Sequence, residues 1–157
     1  MYKKVVLPFI GNSGNNVLNG GAGNDTLIGN AGNDTLTTGG GSDRLLYDTN
    51  AAFTSSAVGL DLVTDFTIGT DKFVLDKTTF TALTSAAGNG FSASSEFSVV
   101  ANNAAVGSSG ALIVYSSATG DLFYNQDGAV AGLGSGGQFA SLSRIPALTA
   151  SDFIIQA

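Results

Sequence analysis

The chain has 157 residues, 43% of them hydrophobic, and a net charge of −6 from 12 acidic and 6 basic side chains. That is apolar material enough for one domain with a real core, while the scattered Lys and Arg form no basic patch for nucleic acid and no run is long enough to span a membrane. There is no cysteine and no histidine, which removes disulfides, thiolate and imidazole metal ligands, and every Ser/His/Asp or Cys/His nucleophile.

At the N-terminus, Lys3 and Lys4 followed by VVLPFI begin like a signal peptide, but the apolar part is too short for one. Export, if it occurs, would then use another route. Phe9 lies nine residues before Leu18, so residues 1–10, with Val5 to Ile10 as their strand, are read as an N-terminal cap.

From Gly11 to Leu46 the chain repeats with a nine-residue period: GNSGNNVLN, GGAGNDTLI, GNAGNDTLT, TGGGSDRLL. Position six reads Asn16, Asp25, Asp34, Asp43, and position eight reads Leu18, Leu27, Leu36, Leu45. A unit of one turn and one short strand cannot bury its own apolar face and has to stack on its neighbours. The glycines give the turn the backbone conformations that aim several carbonyl oxygens inward. Carbonyls plus one carboxylate per turn make an all-oxygen site, which suits Ca²⁺ with its six to eight oxygens at about 2.3–2.6 Å.

After Leu45 the next in-phase residue is Thr54, and Tyr47 to Gly59 has lost the repeat glycines, so the array ends there; Asp48 is placed to finish the last site. Leu60 to Asp76, LDLVTDFTIGTDKFVLD, reads as two strands around turn chemistry at Gly69 to Lys72. Thr78 to Ala87 has room for one or two helical turns, and Gly88 to Ser95 is a loop. Short β-rich runs follow at Glu96 to Ala101, Ala111 to Ser117, Asp121 to Tyr124, Gln138 to Arg144 and Asp152 to Gln156, a spacing that predicts a meander or small sandwich. Ser117 to Asp121 and Asn125 to Gly128 read as hairpin turns.

The nonapeptides resemble those of the RTX (repeats-in-toxin) family of secreted bacterial Ca²⁺-binding proteins. The resemblance implies an all-β fold: a right-handed parallel β-roll with two repeats per coil, continuing into a C-terminal antiparallel β-sandwich-like cap. The roll would be residues 11–46 and the cap 47–157, in one continuous domain. It also implies ligand sets, with two to four Ca²⁺ ions. One site would use Asn12, Gly14 and Asn16 with Gly29, Ala31 and Asp34; a second would use Gly21, Gly23 and Asp25 with Thr38, Gly40 and Asp43. Asn16 replaces a carboxylate and Asn12 a glycine, so the first site is expected to be weaker. The segment with Asp61, Asp65, Phe66, Gly69 and Asp71 resembles the stretch that follows the roll in serralysin-type C-terminal domains. Asp61 and Asp71 are then either ligands of a terminal ion, with carbonyls near Asn30, Gly32 and Asp34, or solvent-facing strand and turn aspartates.

LTASDFIIQ, Leu148 to Gln156, has an acidic residue followed by an apolar triplet and resembles the C-terminal signature of substrates of type I (ABC transporter) secretion; a terminal edge strand would look similar. Catalysis has little to work with. One Glu and the Asp residues are the only general acids or bases below neutral pH, and of the carboxylates open to a glycosidase pair, Asp121, Asp127 and Asp152, turn positions account for the first two. The chain is expected to be a secreted Ca²⁺-binding module and not an enzyme. A polysaccharide or cell-surface ligand is the alternative, on a polar face of Thr26, Thr35, Thr37, Asn24 and Asn33, and a surface-layer unit is a third reading.

Overall fold

The computed structural model describes residues 7–157. Of the expected N-terminal cap, residues 1–6 lie outside this description, and Phe9–Ile10 form strand β1. The four repeats place one strand per unit: β2 (Val17–Asn19), β3 (Thr26–Ile28), β4 (Thr35–Thr37) and β5 (Arg44–Tyr47). The rest of the chain supplies β6 (Asp61–Val63), β7 (Lys72–Asp76), β8 (Gly88–Asn89), β9 (Phe97–Val100), β10 (Ile113–Ser116), β11 (Asp121–Tyr124), β12 (Gly137–Leu142) and β13 (Phe153–Gln156).

Odd and even repeats go to different sheets, which is how a nine-residue unit becomes an eighteen-residue coil. One sheet runs β1-β3-β5-β7-β13-β8, the other β2-β4-β6-β12-β11-β10-β9. Within the roll every pairing is parallel, with Phe9 beside Leu27 and Leu27 beside Leu45 on one side, and Leu18 beside Leu36 on the other. The leucine column thus faces inward from both sheets. Leu27, Leu36 and Leu45 are at most 1% exposed, each stabilising the fold by about 1.5–3 kcal/mol of apolar burial.

The cap continues the same two sheets. β6 follows β4 and β7 follows β5, both in parallel, so Val63 extends the column above Leu36 and Phe73 extends it above Leu45. Beyond them the pairing is mixed. β10, β11 and β12 form the expected antiparallel meander, whereas β9 joins β10, β12 joins β6 and β13 joins β7 in parallel. Here the core becomes aromatic: Phe73 stacks on Phe66 at 4.9 Å and on Phe153 at 5.6 Å, and Phe80 packs edge-on to Tyr124 and Phe139. A small second core of Val106, Ala111, Val114 and Phe123 covers the outer face of β10 and β11.

Several local expectations change. Residues 78–87 form turns, not helix, and the α-helix α1 lies instead at Ser55–Val58, capped by the Thr54 hydroxyl. The Asn125 to Gly128 turn exists, with Asn125 Nδ2 donating to the Gly128 carbonyl, but β12 begins only at Gly137, so the connection is a long loop. β13 is not an edge strand; it lies between β7 and β8. The polar face also divides, because Thr26 is on one sheet and Thr35 and Thr37 on the other.

Stacking resumes across the α1 insertion at Gly59. Its φ is +78°, and a Cβ there would lie inside the Gly32 carbonyl, whereas Gly69 at φ +75° faces open space. Gly59→Ala is expected to lower unfolding free energy by about 2 kcal/mol or more, and Gly69→Ala by only the backbone term of about 1 kcal/mol. Urea unfolding at fixed Ca²⁺ measures both; equal losses would mean that the turns do not stack at Gly32 and Gly59.

Candidate metal centre

The turns form two stacks, one on each edge of the roll. The first holds the turns of Asn16 and Asp34, with Asp61 above; the second holds those of Asp25 and Asp43, with Asp71 above. Each carboxylate ties its turn to the one eighteen residues earlier: Asp34 Oδ1 accepts the Asn16 N–H at 2.7 Å, and Asp43 Oδ1 accepts the Asp25 N–H at 2.8 Å. The longer steps across the insertions repeat the bond, Asp61 Oδ1 to the Asp34 N–H at 3.0 Å and Asp71 Oδ1 to the Asp43 N–H at 3.1 Å.

The second oxygen is a different matter. Oδ2 of Asp25, Asp34 and Asp43 is buried with no hydrogen-bond partner. A bare carboxylate oxygen away from water costs several kcal/mol unless a proton or cation joins it. Other oxygens converge on the same places. A Cβ built on Gly20 would stand 2.6 Å from the Thr38 carbonyl oxygen and 3.1 Å from Asp25 Oδ2; one on Gly11 would meet Asn16 Oδ1 and the Gly29 carbonyl; one on Gly29 would meet Asp34 Oδ2 and, at 3.3 Å, Asp61 Oδ2. Glycine is required at these positions because the space belongs to oxygen. Among the described residues no three Asp, Glu, His or Cys side chains gather into a cluster, so a cation here has to be held largely by backbone carbonyls. That donor set, hard and all-oxygen, fits Ca²⁺.

The residues expected at the sites fall into place unevenly. Thr38 and Asp25 converge, as do Gly29 and Asn16. Gly21 and Gly40 are tied by a backbone bridge, Gly40 N–H to the Gly21 carbonyl and Gly23 N–H to the Gly40 carbonyl, both 2.8 Å; each carbonyl keeps a second lone pair. In the first turn Asn12 and Gly14 are organised by side-chain amides, since Asn16 Oδ1 accepts the Asn12 N–H and Asn12 Oδ1 accepts the Gly14 N–H. Ala31 and Gly32 are part-buried in the middle turn of the first stack, and Asn30, at φ +67°, donates its side-chain amide to the Gly11 carbonyl.

Asp61 and Asp71 do not share a site, because they top different stacks. Asp71 is closed by protein: besides the Asp43 N–H, it accepts from the Thr67 N–H at 2.9 Å, and the Thr38 hydroxyl lies 3.0 Å from its Oδ2. Asp65 joins it by accepting the Thr38 and Gly39 N–H groups. Asp48 turns on itself to accept the Asn50 N–H. Sequence reading also missed the position-five amides, where Asn15, Asn24 and Asn33 cap the N–H of Asn33, Ser42 and Leu60 in the turn above.

Electrostatics follow from this crowding. Burial pushes the Asp34 carboxyl up, partly offset by the Asn16 N–H. Asp43 rises through burial and the charges of Asp71, Asp25 and Asp65, with the Asp25 N–H opposing. Asp61 is pushed up to about 7, by burial first and by the Asp34 charge, against the Asp34 N–H. The Tyr47 hydroxyl, buried and facing Asp61, rises well above its ordinary value.

These are parallel-roll turns with paired, cation-seeking oxygens. Residues 10–45 match the family model described as the RTX calcium-binding nonapeptide repeat, in four copies. The repeat segment is thus of the RTX calcium-binding type, and its units wind into a parallel β-roll. Among solved structures it is similar to the solution structure of the AlgE6R3 subunit from the Azotobacter vinelandii mannuronan C5-epimerase, at 16% identity over 98% of this chain and 86% of that one, with a TM-score of 0.48. No curated protein matches the chain in sequence.

Between the unfolded value of 3.8 and the folded value of about 7, metal-free native Asp61 holds more proton than the unfolded chain. Stability of the metal-free fold therefore falls as pH rises through that window. A cation at Asp61 must displace the proton, so Ca²⁺ affinity is expected to rise from about pH 5 to about pH 7 with net proton release. Calorimetry in buffers of different ionisation enthalpy measures the release, and Asp61→Asn is expected to remove most of it. A pH-independent affinity would place the ions away from Asp61.

Proposed function

We propose that the protein is a secreted module whose roll completes its folding on Ca²⁺ outside the cell. The observation that carries this reading is the set of three buried, partnerless carboxylate oxygens on Asp25, Asp34 and Asp43. In this reading one ion sits between Asn12, Gly14, Asn16 and Gly29, Ala31, Asp34. Another sits between Gly21, Gly23, Asp25 and Thr38, Gly40, Asp43. The pair Asp34 and Asp61 at Gly29 offers a further place, which keeps the number between two and four. The metal supplies the positive charge that the stacked carboxylates lack, while the chain's residues orient the oxygens and exclude water.

The same reading gives Ca²⁺ a directional role. At sub-micromolar Ca²⁺ the roll is loose enough to thread a type I (ABC transporter) channel, and at millimolar Ca²⁺ it folds and cannot slide back. The terminal segment 148–157 would be recognised before folding, because afterwards Phe153 and Ile155 are buried. The chain acts as a binding and folding module, not a catalyst, and resembles the serralysin-type tail in that respect.

EDTA is expected to increase hydrogen exchange sharply in residues 11–46; unchanged protection there would refute metal-dependent folding. Asp34→Asn keeps an oxygen for the Asn16 N–H but removes the charge from the middle of the first stack. It is expected to weaken Ca²⁺ binding about tenfold or more, and more than Asp25→Asn. In an export assay, deleting residues 149–157 is expected to abolish secretion through a type I apparatus, whereas replacing Asp25, Asp34 and Asp43 together by Ala leaves recognition and slows release. Since recognition precedes folding, secretion that survives the deletion would show that the segment is structural only.

A further inference from the structure

The outer face of the six-stranded sheet carries a feature the calcium reading does not use. Arg44 on β5 and Lys72 on β7 are register partners, side by side on strands about 4.8 Å apart. Like charges directly opposite on neighbouring strands are destabilising. Yet these are two of only four basic residues beyond position 4 in a chain of net charge −6, and they stand together.

Among the described residues no carboxylate is hydrogen-bonded to either of them. Asp25 and Asp43, adjacent in sequence to the surrounding strands, are 8% and 1% exposed and turned into the roll. Asp152, which precedes β13 beside Lys72, is 2% exposed and accepts the Gly69 and Thr149 N–H groups. Lys72 Nζ donates to the Ser151 carbonyl at 2.8 Å, a neutral acceptor. The carboxylates next to the pair are almost wholly buried, whereas Arg44 is exposed and Lys72 half-buried.

Arg44 and Lys72 line a groove of about 490 Å³ to which Asp25 and Asp43 of the calcium turns also belong, both almost wholly buried; Thr26, Ser42, Thr70 and Asn89 contribute hydroxyls and an amide, and Ile154 gives one apolar wall. Asn24 fixes the rim, with Oδ1 on the Ser42 N–H and its NH₂ left to donate. With Asp25 and Asp43 engaged by the metal, a planar guanidinium and an ammonium beside hydroxyl and amide groups match a ligand that alternates carboxylates with hydroxyls. The geometry points to a binding site for a carboxylate-bearing oligosaccharide across β3, β5 and β7. This site rests on the roll being folded, and so on the calcium reading, and it places the polysaccharide alternative on one sheet.

The test uses the Ca²⁺-saturated full chain, with tri-galacturonate as acidic probe and maltotriose as neutral control, followed by amide chemical shifts. Expected is saturable, salt-sensitive binding of tri-galacturonate that shifts the amides of residues 24–26, 42–44 and 70–72. It should weaken about tenfold or more in Arg44→Gln/Lys72→Gln and not in Arg144→Gln, with maltotriose silent. Circular dichroism against Ca²⁺ on each variant separates this claim from the calcium reading. No saturable binding by a protein that folds normally on Ca²⁺, equal binding of maltotriose, or full binding by the double variant would overturn the site and leave metal-dependent folding standing.

Discussion

The structure depends on a division of labour within one carboxylate. At Asp34 and Asp43, position six of their repeats, one oxygen bonds the backbone of the turn below and fixes the eighteen-residue stacking, while the other is pressed into the turn with no hydrogen-bond partner. The first bond alone would not hold the stack, because it brings like charges into a column with little water. In the proposed reading the compensating charge comes from bound Ca²⁺, since the chain has only 6 basic side chains to supply it. The crowded turn shape and the glycine at position one follow from the need to point oxygens at one spot.

The cap shows the same problem solved without metal. At the top of the second stack Asp65 and Asp71 saturate themselves on the backbone and hydroxyls of Thr38, Gly39, Asp43 and Thr67. The first stack ends less completely, with Asp61 under a buried tyrosine hydroxyl. The change of chemistry coincides with a change of packing. Below, the interior is a narrow column of leucines; above, it widens to Phe73, Phe80, Phe139 and Phe153, and aromatic area becomes the main source of cohesion.

Much of this was legible because a strict period leaves little freedom. The nonapeptide phase fixed which residues face inward, and the strands at Asp121 to Tyr124 and Asp152 to Gln156 announced themselves by short β-branched and aromatic runs. Less visible was everything set by contacts remote in sequence. The pairing of Asp61 with Asp34 needs an insertion of nine residues beyond the regular coil, and the separation of Asp61 from Asp71 needs the two-sheet topology, neither of which spacing reveals. The role of the position-five asparagines was hidden for another reason: Asn in a glycine-rich turn is explained by turn propensity alone. A short β-rich run predicted β13 as a strand, but such a run carries no information about which strand will be its neighbour.

That placement of β13 has a consequence for how the molecule is made. Its side chains pack on β7, some eighty positions earlier in a chain synthesised from the other end, and Asp152 holds the β6–β7 connection through Gly69. The sheet therefore has a vacant lane until β13 arrives, and Phe73 has no partner for one of its faces. Any product that stops short of β13 is left with an open core. The core closes only after β13 has been made.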